Sequence, residues 1–178
     1  MSVSQLLSHL PAPSKDLKLN LKAALADESL TPAQAWGTAL AVAYVSGEPR
    51  SLEALAAEAT ERLGEAVCQA VEGVSAVMTQ NNVYYRFTHL VGDDAYAQLP
   101  ARLRMNALRP AGVEPVDVEL WSLAVSAVNG CGLCIDSHEK ALRKAGVSTA
   151  VIQACVRLAA IVHAVAGSVR ARSVLQAT

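Results

Sequence analysis

Apolar residues recur along most of this chain at spacings of three and four, and strict alternation is nearly absent. Val67, Val71, Val74 and Met78 form one such run, with their side chains on one face of a helix. Thr31-Pro32 reads as an N-cap followed by proline at the first helical position. It opens a helix from Ala33 to Ser46, which Gly47-Glu48-Pro49 closes. Ser51 is expected to cap a segment to about Leu63, broken by Gly64, and Glu65 starts a long apolar helix to about Phe87. Residues 89–115 hold Gly92, Asp93-Asp94, Pro100, Pro110, Gly112 and Pro115, and read as a loop-rich connector with short helices. Asp117 is expected to cap a helix to about Asn129, ended by Gly130. A Cys-x-x-Cys pair then opens a helix to about Ala145. Gly146 reads as a C-terminal stop, and Ser148 caps a last helix to about Arg172. The predicted fold class is all-α.

The layout repeats. Trp36-Gly37-Thr38-Ala39-Leu40-Ala41 is similar to Trp121-Ser122-Leu123-Ala124-Val125-Ser126, a separation of 85 residues (121 − 36). Each stretch opens the same order of helices: Trp-led, mid-length, then long and apolar. The expectation is a single domain over 1–178 with two related halves, roughly 30–90 and 116–173, with the Cys-x-x-Cys only in the second. At this separation Ser46 matches Cys131, so the first half is expected to be chemically silent.

Composition narrows the function classes. The 178-residue chain carries a net charge of −1, scattered Lys and Arg, and 4 % aromatic residues, which argues against a nucleic-acid partner. Hydrophobic residues make up 52 % and charged ones 17 %, against about 25 % charge in average globular chains. The excess apolarity predicts burial beyond a monomer core, most simply in a homo-oligomer. Residues 1–10 lack the basic start of a secretory signal. The richest apolar run, Leu158 to Val169, contains His163 and is too short for a membrane span of roughly 18 residues or more. The expectation is a cytoplasmic protein with no membrane partner, and in that reducing compartment a Cys-x-x-Cys reads as catalytic or metal-binding.

Cys131-Gly132-Leu133-Cys134 and His138 carry the candidate chemistry. On a helix turning ~100° per residue, positions 131, 134 and 138 fall at about 0°, about −60° and about −20°, one face with the imidazole between the thiols. Two cysteines at this spacing can close a disulfide within one turn. The thiolate is the reactive form, and an ordinary thiol titrates near ~8.5, so the anion needs support. Cys131 follows Gly130, at a helix N-terminus, where unpaired N–H groups favour negative charge. His138 is placed to take a proton from Cys134. Glu119 lies on the preceding helix among Val118, Leu120 and Trp121, where a carboxylate needs a partner, and is the candidate to orient His138. Two other readings weigh against this one: a pair of inert buried cysteines, or zinc held by Cys131, Cys134, His138 and Glu119. No second ligand cluster supports zinc. Cys68 and Cys155 lie at apolar helical positions and read as core, as do Trp36 and Trp121, and His163 reads as a satisfied core or interface residue. Asn81 to Arg86 is a polar stretch suited to lining a pocket or a subunit contact. No phosphate-binding glycine loop is present, so no bound nicotinamide or flavin is expected and electrons must come from another thiol.

The stretch Glu119 to Cys134 with His138 resembles the signature of the alkylhydroperoxidase D (AhpD) family. Lys15 to Leu21, Met78 to Arg86 and Leu103 to Asn106 also resemble segments of that family, so the likeness spans nearly the whole chain. It implies an all-α homotrimer and an antioxidant that reduces peroxides weakly by itself. It further implies reduction of an oxidised AhpC-type peroxiredoxin, with electrons from dihydrolipoamide on a lipoylated dihydrolipoamide acyltransferase, itself re-reduced by dihydrolipoamide dehydrogenase. Carried onto this chain, Cys134 is the sulfur oxidised to sulfenic acid or joined to the partner. Cys131 is the resolving thiol and proton donor, and His138 and Glu119 are the relay. Some members carry a histidine inside the Cys-x-x-Cys, where this chain has Leu133. Two alternatives use the same scaffold: a carboxymuconolactone decarboxylase-like enzyme, against which the paired cysteines argue, and a non-enzymatic redox sensor or metal-binding adaptor.

Overall fold

Prolines and capping side chains set where the helices of this protein begin. The computed structural model describes residues 1–177, which form helices and connecting turns with no strand among the described residues. Nine α-helices lie among them: α1 (Val3–Ser8), α2 (Lys15–Leu25), α3 (Pro32–Ser46), α4 (Pro49–Leu63), α5 (Glu65–Leu90), α6 (Asp94–Gln98), α7 (Pro115–Asn129), α8 (Gly132–Lys144) and α9 (Thr149–Ala177). Thr31 caps α3 in a reciprocal box with Gln34, as its position before Pro32 predicts.

Two starts differ from expectation, both because proline takes the first helical position, where its missing N–H costs nothing. Helix α4 begins at Pro49, and its cap is Glu48 rather than Ser51. The Glu48 carboxylate accepts from the Ser51 N–H at 2.7 Å and from the Ser51 hydroxyl at 2.6 Å. Helix α7 begins at Pro115, so Asp117 sits inside its first turn and is buried instead of capping it. Helices α1 and α2, in a stretch for which periodicity predicted no element, cover the N-terminal end of the fold. Leu6, Leu7 and Leu21 enter the core there, α1 against α4 and α2 against α9.

The two Trp-led helices form the centre. Helix α3 packs against α4, α5, α7 and α9, and α7 packs against α3, α5, α8 and α9. Every residue from Ala35 to Ala43 is buried, as is every residue from Leu120 to Ser126. A helix surrounded on all sides has no polar face. Part of the apolar excess is therefore absorbed inside one chain. Gly37 allows the close crossing of α3 and α7: a Cβ there would overlap the Trp121 indole, whose Nε1 donates to the Ala33 carbonyl at 3.1 Å. Another part stays outside: Val83, Phe87, Leu90 and Leu99 are exposed along the end of α5 and beyond α6.

Helix α9 is longer than expected, and by length and mean hydropathy (1.7) it matches a membrane span. Its Ile152, Cys155, Leu158, Val162, Val165 and Val169 are nonetheless buried against the other helices, as in a core helix.

The buried Asp117 carboxyl is held above the usual carboxylate range, first by desolvation and further by the nearby Glu114 charge, with the Gln34 amide opposing. A raised carboxyl pKa means that the folded state gains stability below the unfolded value and loses it as pH rises through the folded one. At neutral pH the charged Asp117 therefore costs stability. Asp117→Asn is expected to raise Tm by a few degrees at pH 7, with the gain shrinking as pH falls toward 4. Thermal melts of both proteins across that range check it, and a gain that grows on acidification contradicts it.

Candidate active site

Gly130 makes the site possible. It takes a left-handed conformation (φ 67°) and closes α7, with the Gly130 N–H on Ala127 O and the Cys131 N–H on Ser126 O. The chain then reverses into α8, and α7 and α8 pack side by side.

Cys131 is the N-cap of α8 rather than a residue of its first turn. Its sulfur accepts from the Cys134 backbone N–H at 3.4 Å, the place that an oxygen fills in an ordinary cap. Cys131 and Cys134 are joined as a disulfide, with Cα atoms 5.3 Å apart. The uniform 100° turn thus applies from Gly132 onward, and Cys131 joins the same face from outside the helix.

The two sulfurs differ in access. Cys131 is fully buried, whereas Cys134 is 6 % exposed and opens on a cavity of about 330 Å³. Met78, Tyr85, Met105, Leu108 and Leu133 supply its apolar walls, and Asn81, Ser137 and His138 its polar groups. The cavity therefore suits a molecule with an apolar body and a reactive polar end. The Asn81 amide is directed at the Met105 sulfur, 3.5 Å away.

His138 and Glu119 meet directly, although 19 residues separate them in sequence: the ring Nδ1 lies 2.7 Å from Glu119 Oε2. A carboxylate only accepts, so Nδ1–H donates and the ring is fixed as the tautomer with a free Nε2. The pair is partly buried, His138 more than Glu119. Among the described residues, no three His, Cys, Asp or Glu side chains converge as a metal site.

The remaining sulfurs and histidines lie elsewhere. Cys155 is enclosed between Thr38 Oγ1 at 3.3 Å and the Leu120 carbonyl at 3.4 Å, and burial pushes its thiol up to about 12. It stays a protonated thiol at any working pH. Cys68 is half-buried near the Thr60 hydroxyl and packs against the edge of the core. His163 is exposed on α9 with Nδ1 3.0 Å from Ser46 Oγ, satisfied but outside the core, and His9 and His89 are on the surface.

The polar stretch at the end of α5, expected to line a pocket or a subunit contact, divides between cavity and core. Asn81 and Tyr85 line the cavity, while Asn82 is buried and bonds to Ser126 and Asn129. The signal was available: Asn81 and Asn82 continue the buried stripe of Val71, Val74 and Met78, and an amide on a core face needs partners. Met105 and Leu108 had no such signal, because they reach the cavity from the irregular connector.

The profile of the carboxymuconolactone decarboxylase family matches residues 94–177, which contain α7, α8 and α9. Over nearly its whole length the chain is similar to proteins named alkyl hydroperoxide reductase AhpD. It is 53 % identical to that of Maricaulis maris (strain MCS10), over 97 % of this chain and 100 % of the relative. It is 49 % identical to that of Rhodopseudomonas palustris (strain BisB18), over 96 % and 94 %. The corresponding protein of Brucella suis (strain ATCC 23445 / NCTC 10510) is 48 % identical, over 93 % and 95 %. With identity at this level across the helices that build the dithiol site, the chain belongs to the AhpD family.

Proposed function

We propose that this protein is an antioxidant thiol oxidoreductase with lipoyl-dependent peroxidase activity. One observation carries the reading: a disulfide whose outer sulfur, Cys134, faces an apolar cavity beside a carboxylate-oriented imidazole. The names of the relatives support it. A decarboxylase has no use for a reversible sulfur pair, so the redox reading is preferred to the activity in the matching profile's name.

In the reaction, the Cys134 thiolate attacks the outer oxygen of a hydroperoxide. The O–O bond breaks, Cys134 becomes a sulfenic acid, and the alkoxide leaves as an alcohol with the proton that His138 Nε2 took from the Cys134 thiol when the thiolate formed. Glu119 holds the ring and stabilises its charged form. The Cys131 thiolate then attacks the Cys134 sulfur, expelling hydroxide, which leaves as water once protonated, and closing the disulfide. A dihydrolipoamide thiolate attacks Cys134, the accessible sulfur, and Cys131 departs. The second lipoyl thiol attacks the mixed disulfide and releases the Cys134 thiolate.

The position of Cys131 suits a leaving group: its sulfur caps a helix N-terminus, which favours the thiolate, and a lower-pKa thiol leaves faster. The helix dipole and the assignment of substrate to Cys134 therefore agree, because the stabilised sulfur is the one expelled. Leu133 stands on the cavity wall with no ionisable group, so proton transfer rests on Glu119 and His138.

In this reading the protein binds no cofactor or metal and acts in the cytoplasm. Its partners are a lipoylated dihydrolipoamide acyltransferase, an AhpC-type peroxiredoxin and, through the exposed apolar surface at Val83, Phe87, Leu90 and Leu99, two further copies in a homotrimer. The chain forms one domain whose halves, 30–90 and 116–173, are related. The test is turnover of an organic hydroperoxide with dihydrolipoamide, with and without oxidised AhpC. Slow turnover alone and faster electron flow with AhpC are expected. No consumption of dihydrolipoamide in either arm ends this reading.

A further inference from the structure

Helices α3 and α7 begin at Pro32 and Pro115, 83 residues apart (115 − 32), and both are 15 residues long. Each is closed by a left-handed glycine, Gly47 or Gly130. Each glycine is followed by an N-cap that accepts from the backbone N–H three residues on: Glu48 from Ser51, and Cys131 from Cys134. In this register Glu48, not Ser46, stands where Cys131 does. The last carbonyl before each glycine is held in the same way. Arg86 of α5 donates to Asn129 O at 2.6 Å, and Arg170 of α9 donates to Ser46 O at 3.3 Å. The side chains of those two residues are also held, Asn129 Nδ2 by Asn82 Oδ1 at 3.1 Å and Ser46 Oγ by His163 at 3.0 Å. Asn82, fully buried, extends its clamp to Ser126 Oγ at 2.9 Å, and Ser126 also accepts the Cys131 N–H on its carbonyl.

We propose that Arg86 and Asn82 are positioning residues of the dithiol, holding the Asn129–Gly130 turn so that the Cys131 sulfur stays over the N-terminus of α8. The inference rests on the redox reading of the site. Gly130 is the most permissive residue of this hinge and restrains nothing by itself. While the disulfide is closed, the bond to Cys134 also fixes Cys131. Once it is reduced, that tether is gone, and the clamp on the turn adds to the core packing and the Cys131 N–H bond in keeping the sulfur where helix N–H groups stabilise a thiolate. Loss of the clamp therefore weakens the reduced form more than the oxidised one. The dithiol becomes more easily oxidised, and Cys131 becomes a poorer leaving group.

The silent half supplies an internal control, because Arg170 makes the same contact where no sulfur follows. Arg86 is exposed, so its replacement is expected to fold. Three full-length variants, Arg86→Met, Arg86→Lys and Arg170→Met, are equilibrated in reduced and oxidised lipoic acid buffers, and the free thiols are counted. The pH dependence of thiol alkylation is read in parallel. Arg86→Met is expected to shift the equilibrium about 3–10-fold toward the disulfide, roughly 15–30 mV at about 30 mV per tenfold, and to move the alkylation profile to higher pH. Arg86→Lys, which keeps a cation and a donor, is expected to recover most of both. Arg170→Met is expected to lower Tm and leave both thiol readouts at wild-type values. An unshifted Arg86→Met overturns the proposal. So does an Arg170→Met shift of equal size, which would indicate general loosening of the fold. Wild-type peroxide turnover, measured alongside, decides the function separately: its absence would defeat the peroxidase reading while the equilibrium still decides the clamp.

Discussion

Cys134→Ser is expected to remove peroxide turnover, leaving less than roughly a thousandth of the wild-type rate, as when a nucleophile is deleted from a cooperating set. Serine has no sulfur to receive the peroxide oxygen, and its hydroxyl does not ionise near neutral pH. The same change leaves Cys131 buried behind α8, with no access to the cavity. Cys131→Ser should behave differently. Cys134 can still attack the peroxide, but nothing resolves its sulfenic acid, so the oxidised sulfur accumulates and can be trapped by a dione reagent. Mass spectrometry of the two variants after one equivalent of hydroperoxide distinguishes the roles. An adduct on Cys131 in Cys134→Ser, with none on Cys134 in Cys131→Ser, would reverse the assignment.

The second large effect concerns the proton. His138→Gln keeps a polar side chain of similar reach but cannot exchange a proton at neutral pH. Loss of a positioned acid–base group typically costs about 10²–10⁴-fold, and a drop in kcat/KM of at least about 10²-fold is expected here. The pH–rate profile should also change shape, because the group that takes up and returns the proton is gone. Glu119→Gln retains an acceptor for Nδ1–H and loses the charge behind it, so its effect should be smaller, about 10-fold, as for the loss of one charge-assisted hydrogen bond. A His138→Gln enzyme with the wild-type profile would place proton transfer elsewhere. Ser137 and Tyr85 carry the hydroxyls on the cavity and would be the next groups to test.

Local features made much of the molecule legible beforehand. Thr31, Gly47, Gly64, Gly130 and Gly146 mark helix ends because capping and left-handed turns depend on a few neighbouring residues. The errors at Ser51 and Asp117 share one cause. Each is a small polar residue that resembles a cap, but a proline two residues upstream occupies the first helical position. The N-terminal helices α1 and α2 carry only a weak sequence signal, because they bury few residues: Val3, Leu6 and Leu7 in α1, Leu21 and Ala24 in α2. The two tryptophans stand 85 residues apart, whereas the helix starts are 83 apart (115 − 32), because Trp36 is the fifth residue of α3 and Trp121 the seventh of α7.

The sequence by itself determined the helical class, the family, and the grouping of Cys131, Cys134 and His138, since a helix start and the spacing within its first two turns are local properties. Only the tertiary structure decided that Glu119 reaches His138, that Cys134 rather than Cys131 meets the cavity, and that Met105 and Leu108 complete its wall. It also brought Arg86 and Asn82 to the turn before Cys131. These contacts depend on how α5, α7 and α8 cross, which is set by core packing and the Gly130 reversal. Periodicity states which face of a helix is buried, but not what that face meets.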